Sequence, residues 1–314
     1  MNSAHMQRQS RSGDSLRWLG VLASATAIAC VLPMLAVLIA ALSGGTDTVA
    51  HLIDTVLPRY AGTTLVLVLL VALGTFALGV GAAWLVTMTR FPGVRVLEIA
   101  LVLPLAFPAY VLAYAYTHIL DHPGIVQSTL RDVTGWGPRD YWFPEIRSVG
   151  GAAVMLILVL YPYVYLLARA AFLQQSGTTF LAARALGKSA WAAFLQVSLP
   201  MARPAIAGGV LLAVMETIAD FGTVAYFGVQ TFATGIYTSW FSMADRAAAA
   251  QLALCLLTFA LMLAMLERYQ RGNAKYHDTA KRHQTMPPAE LHGVRAALAF
   301  FLSAVPVGFR GLLP

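Results

Sequence analysis

Five stretches of this chain, 18–42, 61–89, 99–120, 148–168 and 247–266, contain no Asp, Glu, Lys or Arg. No other feature constrains the fold as much. A soluble core does not require charge-free runs of that length. About 20 apolar residues rising about 1.5 Å each, however, cross the hydrocarbon of a bilayer. Each run therefore reads as a membrane span. A sixth candidate, 204–244, is apolar but interrupted by Glu216 and Asp220. Composition agrees: 59% of residues are hydrophobic and 11% charged, where a soluble domain carries about 25% charged residues. The expected fold is all-α, a polytopic membrane bundle of six transmembrane helices.

The net charge is +7, and its placement carries more than its sum. With a cytoplasmic N-terminus, alternation of the spans puts Arg8, Arg11, Arg17, Arg90, Arg95, Arg169, Arg184, Lys188 and Arg203 inside. Arg268, Arg271, Lys275, Lys281, Arg282 and Arg295 join them. The outside receives Arg59, Arg131, Arg139, Arg147 and Arg246, and Arg310 falls in the last apolar stretch. Such an inside excess of basic residues orients membrane proteins. The positive balance is therefore a topology signal and gives no reason to invoke nucleic acid. Cys30 and Cys255 lie in different apolar runs, without metal-ligand spacing or a disulfide framework.

The resulting order is a cytoplasmic tail (1–17), a six-span domain (18–266), a polar cytoplasmic linker (267–295) and a further apolar run (296–314). That last run reads as the start of a seventh span cut short, because backbone groups inside a bilayer need partners. Pro33, Pro104, Pro108 and Pro162 sit within spans, where neighbouring helices can satisfy the groups a kink frees. Gly74, Gly79 and Gly81 offer close helix approach on the second span. The 228–246 stretch is amphipathic, and Tyr237, Trp240 and Phe241 suit an interfacial aromatic belt.

Between spans four and five lies "FLAARALGKSAWAAFLQVSLP", residues 180–200. It is too polar to span and too regular for slack linker. Ser176, Thr178 and Thr179 are N-cap candidates for a short helix through Leu186. Gly187 is placed to end it in a left-handed conformation. Ser189 can cap a second helix that Pro200 stops, with Trp191, Phe194, Leu195 and Leu199 on one apolar face.

This loop resembles the EAA motif of binding-protein-dependent ABC importer permeases. In that pattern Glu-Ala-Ala is followed by three residues and a glycine, then by nine residues and Ile-x-Leu-Pro. Here Leu181-Ala182-Ala183, Gly187 and Val197-Ser198-Leu199-Pro200 keep the spacing, with Leu181 in place of Glu and Val197 in place of Ile. The resemblance implies a type I importer permease fold and no cofactor. It implies that 174–204 docks on a cytosolic ATPase subunit through Ala182, Ala183, Gly187, Leu199 and Pro200. Residues 215–241, "METIADFGTVAYFGVQTFATGIYTSWF", are similar to the segment after that loop in ferric-iron permeases, which carry two homologous halves. That similarity implies ferric iron as substrate and an extracytoplasmic binding protein and a second permease half as partners. Residues 296–314 then begin a truncated second half. Permeases for thiamine, molybdate, sulfate or polyamines share the general pattern.

Glu216 and Asp220, at i and i+4, share a face if one helix carries both. Carboxylates inside a membrane are costly, so they are candidates to line a translocation path or to hydrogen-bond across helices. Glu98 stands beside Arg95 and Arg90 as an interfacial pair, and His118, Asp121 and His122 read as loop surface more readily than as a metal site. No Walker A pattern occurs in the sequence, so ATP binding by that route is excluded and no enzyme site is evident. The alternatives are an ion-coupled secondary transporter using Glu216 and Asp220, and an inactive half-permease.

Overall fold

The computed structural model describes residues 3–44, 50, 52–137, 140–175, 177–271, 289–291 and 293–308. Ser176, Lys275, Lys281, Arg282, Arg139 and Arg310 lie outside these, as do the side chains of Arg8, Arg11, Arg17, Thr178, Arg271 and Arg295.

Helix dominates, as the apolar runs require. Helix α1 is Ser3–Ser43, α2 is Leu57–Met88, α3 is Val94–Ala100, α4 is Ala109–Leu120 and α5 is Ile125–Thr134. Then follow α6 (Val149–Gln174), α7 (Gly177–Ala185), α8 (Ala190–Ala193), α9 (Leu199–Ala219) and α10 (Gly222–Tyr226). The remaining helices are α11 (Phe232–Tyr237), α12 (Arg246–Arg271) and α13 (Val294–Gly308). Two-residue strands β1 (Thr89–Arg90) and β2 (Ala289–Glu290) pair in parallel, Thr89 opposite Ala289.

Five helical stretches among the described residues are long and apolar enough to cross a membrane: Trp18–Ser43, Leu57–Met88, Val149–Gln174, Ala190–Ala219 and Arg246–Tyr269. The expected third span is not one straight helix. It is a bent pair, Val94–Ala106 and Ala109–Thr134, turned by 98°. The count is therefore five spans, or six if the bent pair is one. The cause is local. Phe107 is extended (φ −121°, ψ 132°) because the ring of Pro108 excludes helical geometry from the residue before it. Pro104 opens a single 3-10 turn, Leu103–Ala106.

The chain forms two compact units. One comprises Met1–Leu57 and Gly235–Leu257. Within it the Gln251 amide donates to the Ala41 carbonyl at 3.0 Å, and the Arg246 guanidinium lies over the Trp240 ring, 5.7 Å from its centre. Tyr237, Trp240 and Phe241 are exposed, as an interfacial belt requires.

The other unit comprises Pro58–Thr234 and Thr258–Pro314, and α6 is its axis. Ser148 caps α6, its hydroxyl accepting from the Gly151 amide at 3.1 Å. Tyr161 and Tyr165 on α6 are fully buried. Their hydroxyls donate across to α3 and its C-terminal end, Tyr161 to the Leu101 carbonyl (2.9 Å) and Tyr165 to the Glu98 carbonyl (3.3 Å). Backbone groups beside the break thus find partners on a neighbouring helix. Glycines set the packing distance. A Cβ at Gly79 would lie 2.6 Å from the Val164 Cβ, and one at Gly209 would lie 2.7 Å from the Val164 Cα. Gly74 is equally tight against Ile157, whereas Gly81 faces open space.

Helix α12 continues to Arg271, past the expected end of span six at Leu266. The apolar run beginning at 296 forms most of α13, whose Ala299 packs with Phe91 and Leu97. Residues 309–314 lie outside the described residues.

Candidate functional site

The 180–200 stretch folds as helix, glycine elbow, helix. Helix α7 ends in a Schellman arrangement: the Lys188 amide donates to the Ala183 carbonyl (3.2 Å) and the Gly187 amide to the Arg184 carbonyl (3.0 Å). Gly187 has φ +84°, the left-handed conformation this motif needs and glycine adopts freely. The Arg184 guanidinium donates to the Lys188 carbonyl at 2.9 Å, and the Lys188 ammonium meets the Gln196 side-chain oxygen. Ser189 caps α8, accepting from the Ala192 amide at 3.1 Å. Thr179 lies inside α7 and does not cap it.

Pro200 does not stop the second helix. Residues 190–219 run on as one helical rod, with a π-helical turn at Phe194–Ser198. There the Leu199 amide reaches back to the Phe194 carbonyl, a five-residue register. Pro200 follows directly on the π-turn, as the second residue of α9. The π-turn also divides the expected apolar face. Phe194 turns inward, while Trp191 and Leu195 stay exposed.

The loop is rooted by residues that the motif does not include. Trp84 of α2 meets Trp191 edge-on (5.5 Å between ring centres) and Phe194 at a tilt (5.2 Å), and Phe172 of α6 meets Phe194 at 5.8 Å. Buried Gln175, just past α6, donates to the Ser198 carbonyl at 2.8 Å. A polar Gln closing an apolar span, and a Trp near the inner end of another, were the available sequence signals. Beyond that root the loop presents Leu181, Ala182 and Leu195 to the surface, with Leu186 83% exposed at its tip. Ala183 is buried, and Leu199 and Pro200 are half-buried. Of the motif residues, then, Ala182 and Gly187 face outward, while the other three brace the loop.

Glu216 and Asp220 do not share a helix. Helix α9 ends at Ala219, and Asp220 is extended (φ −67°, ψ 123°). Its carboxylate caps α10: one oxygen accepts from the Thr223 and Val224 amides (3.0 and 3.1 Å), the other from the Thr223 hydroxyl (3.1 Å). Asp220 therefore has a structural role that the i, i+4 spacing concealed. Glu216, in the last turn of α9, is exposed.

Glu98 pairs not with Arg95 or Arg90 but with Arg169 of α6, at 3.0 Å. Asp121 pairs with Arg147 at 3.2 Å and accepts from the His122 amide. Among the described residues no group of three or more His, Cys, Asp or Glu could hold a metal ion. Past α4, the Tyr141 hydroxyl accepts from Arg131 (2.9 Å) and donates to Gln127 (2.9 Å).

This architecture defines a class. A chain of the bacterial alginate ABC transporter, solved with an alginate pentasaccharide-bound periplasmic protein, superposes with a TM-score of 0.69. The match is 17% identical and covers 84% of this chain and 96% of that one, so the ABC-transporter membrane fold is shared. The chain belongs to the family of binding-protein-dependent transport system inner membrane components, which matches residues 75–271. It is therefore a transport permease component of a membrane. The Fe(3+)-transport system permease protein FbpB 2 of Haemophilus influenzae is 26% identical over 84% of this chain and 48% of its own length. The molybdenum transport system permease protein ModB of Escherichia coli K12 is 29% identical over 63% of this chain and 85% of its own. The chain thus spans about half the length of the first relative and most of the second.

Proposed function

We propose that this chain is the membrane-spanning permease subunit of an ATP-driven importer, with its N-terminus cytoplasmic. A separate cytosolic ATPase drives it through the 174–204 loop, and an extracytoplasmic binding protein delivers the cargo. A second permease half, in a longer chain or a homologous subunit, completes the path. Ferric iron is the proposed substrate, supported by the 215–241 similarity and by the ferric relative.

The carrying observation is the loop itself. A Schellman-ended helix, a left-handed glycine and a capped second helix hold an apolar tip formed by Leu181, Leu186 and Leu195. Rigid rooting by Trp84, Phe172 and Gln175 lets force applied at the tip reach α6 and α9. An apolar helix face of this kind suits a groove on a partner. The ion-coupled alternative is weakened because Asp220, half of its carboxylate pair, is engaged as a cap.

The test is co-purification of the tagged chain with the ATPase subunit from membranes. Leu186→Asp should abolish the complex while leaving the amount of chain in the membrane unchanged. Full complex recovery with Leu186→Asp and Leu195→Asp together would refute the docking role.

A further inference from the structure

Resting on the importer reading, we infer that Glu216 is the charge-selecting residue of the translocation face, favouring cationic cargo and opposing oxyanions. The last turns of α9 bury Ala213, Val214, Thr217 and Ile218 in the core and leave Leu212, Glu216 and Ala219 exposed. A carboxylate turned to hydrocarbon is costly, so this face needs water or a polar partner. Tyr163 of α6 is within electrostatic reach of Glu216. Past the end of α9, Phe221 is exposed and Tyr110 of α4 packs on Gly222. Tyr114, one turn further along α4, is exposed too.

Glu216 has no hydrogen bond or ion pair among the described residues. Asp220 is turned to the α10 cap, where both of its oxygens accept. On this chain's side of the path, a passing anion therefore meets a carboxylate that makes no ion pair among the described residues. A metal cation, bare or partly coordinated, meets attraction at the same point. The two relatives differ on this chemistry: iron(III) is cationic, whereas molybdenum in neutral water is an oxyanion. Glu216 places this chain with the cation.

The experiment reads local charge directly, independently of what the binding protein delivers. In the assembled transporter carrying Cys30→Ser and Cys255→Ser, Ala219→Cys is reacted with a trimethylammonium and a sulfonate methanethiosulfonate reagent. Leu212→Cys serves as a second position should the first fail to assemble. The cationic reagent should react faster, and the rate ratio should fall about tenfold or more in Glu216→Gln, as expected for a unit charge within one helical turn. Glu216→Asp should preserve the ratio. A ratio unchanged by Glu216→Gln overturns the charge filter while leaving the path intact. Failure of both reagents to react at either position means the face is dry, which overturns the path itself.

Discussion

Replacing Gly187 separates backbone geometry from side-chain chemistry in the loop proposed to dock the ATPase subunit. A Cβ there would meet nothing within 4 Å, so no clash arises inside the chain. The whole penalty lies in the backbone, held at φ +84°. An L-residue in that region is strained by about 1–2 kcal/mol, and about 1.4 kcal/mol is tenfold in an equilibrium constant. If the elbow must be left-handed for α7 and α8 to present Leu181, Leu186 and Leu195 together, Gly187→Ala weakens ATPase-subunit binding about tenfold. Gly187→Val, β-branched, weakens it further. Gly187→Asn stays close to the parent, because Asn visits this region readily. The assay is titration of purified ATPase subunit against the chain in detergent, with thermal unfolding as control. Wild-type affinity in Gly187→Val would refute the elbow. Equal damage from Asn and Val would show that bulk, and not backbone strain, is what matters.

Further outcomes follow from other parts of the structure. Asp220→Ala should destabilise the chain by about 1–2 kcal/mol through loss of the α10 cap, while Asp220→Asn retains most of that stability; equal loss in both, by thermal unfolding, would point to the charge rather than the cap. The Glu98–Arg169 pair is about one-third exposed on each side, so Glu98→Gln should cost no more than about 1 kcal/mol, and the exchange Glu98→Arg with Arg169→Glu should recover part of it. Gly209→Ala brings a methyl group to 2.7 Å from the Val164 backbone and should cost about 1–3 kcal/mol, whereas Gly81→Ala, facing open space, should be nearly silent in the same melt.

The spans were legible because hydrocarbon length and charge-free runs are one-dimensional properties. So was the elbow: Gly187 and Ser189 act through bonds to residues within five positions. Pro104 and Pro108 announced a kink, but not the partners of the backbone beside it, since Tyr161 and Tyr165, whose hydroxyls donate to the Leu101 and Glu98 carbonyls, lie some 60 residues away in sequence. The seventh apolar run showed its helical character but not its packing against Phe91 and Leu97.

What the sequence determined by itself was the membrane class, the long charge-free apolar runs and the spaced loop at 180–200. These rest on local composition and short-range hydrogen bonding. Tertiary structure decided the partners. It gave Glu98 to Arg169, turned Asp220 from a path candidate into a cap, let the helix run through Pro200 on a π-turn, and left Glu216 without a counter-charge among the described residues. Which side chain meets which depends on how helices far apart in sequence pack, and periodicity along one helix does not encode the neighbour it faces.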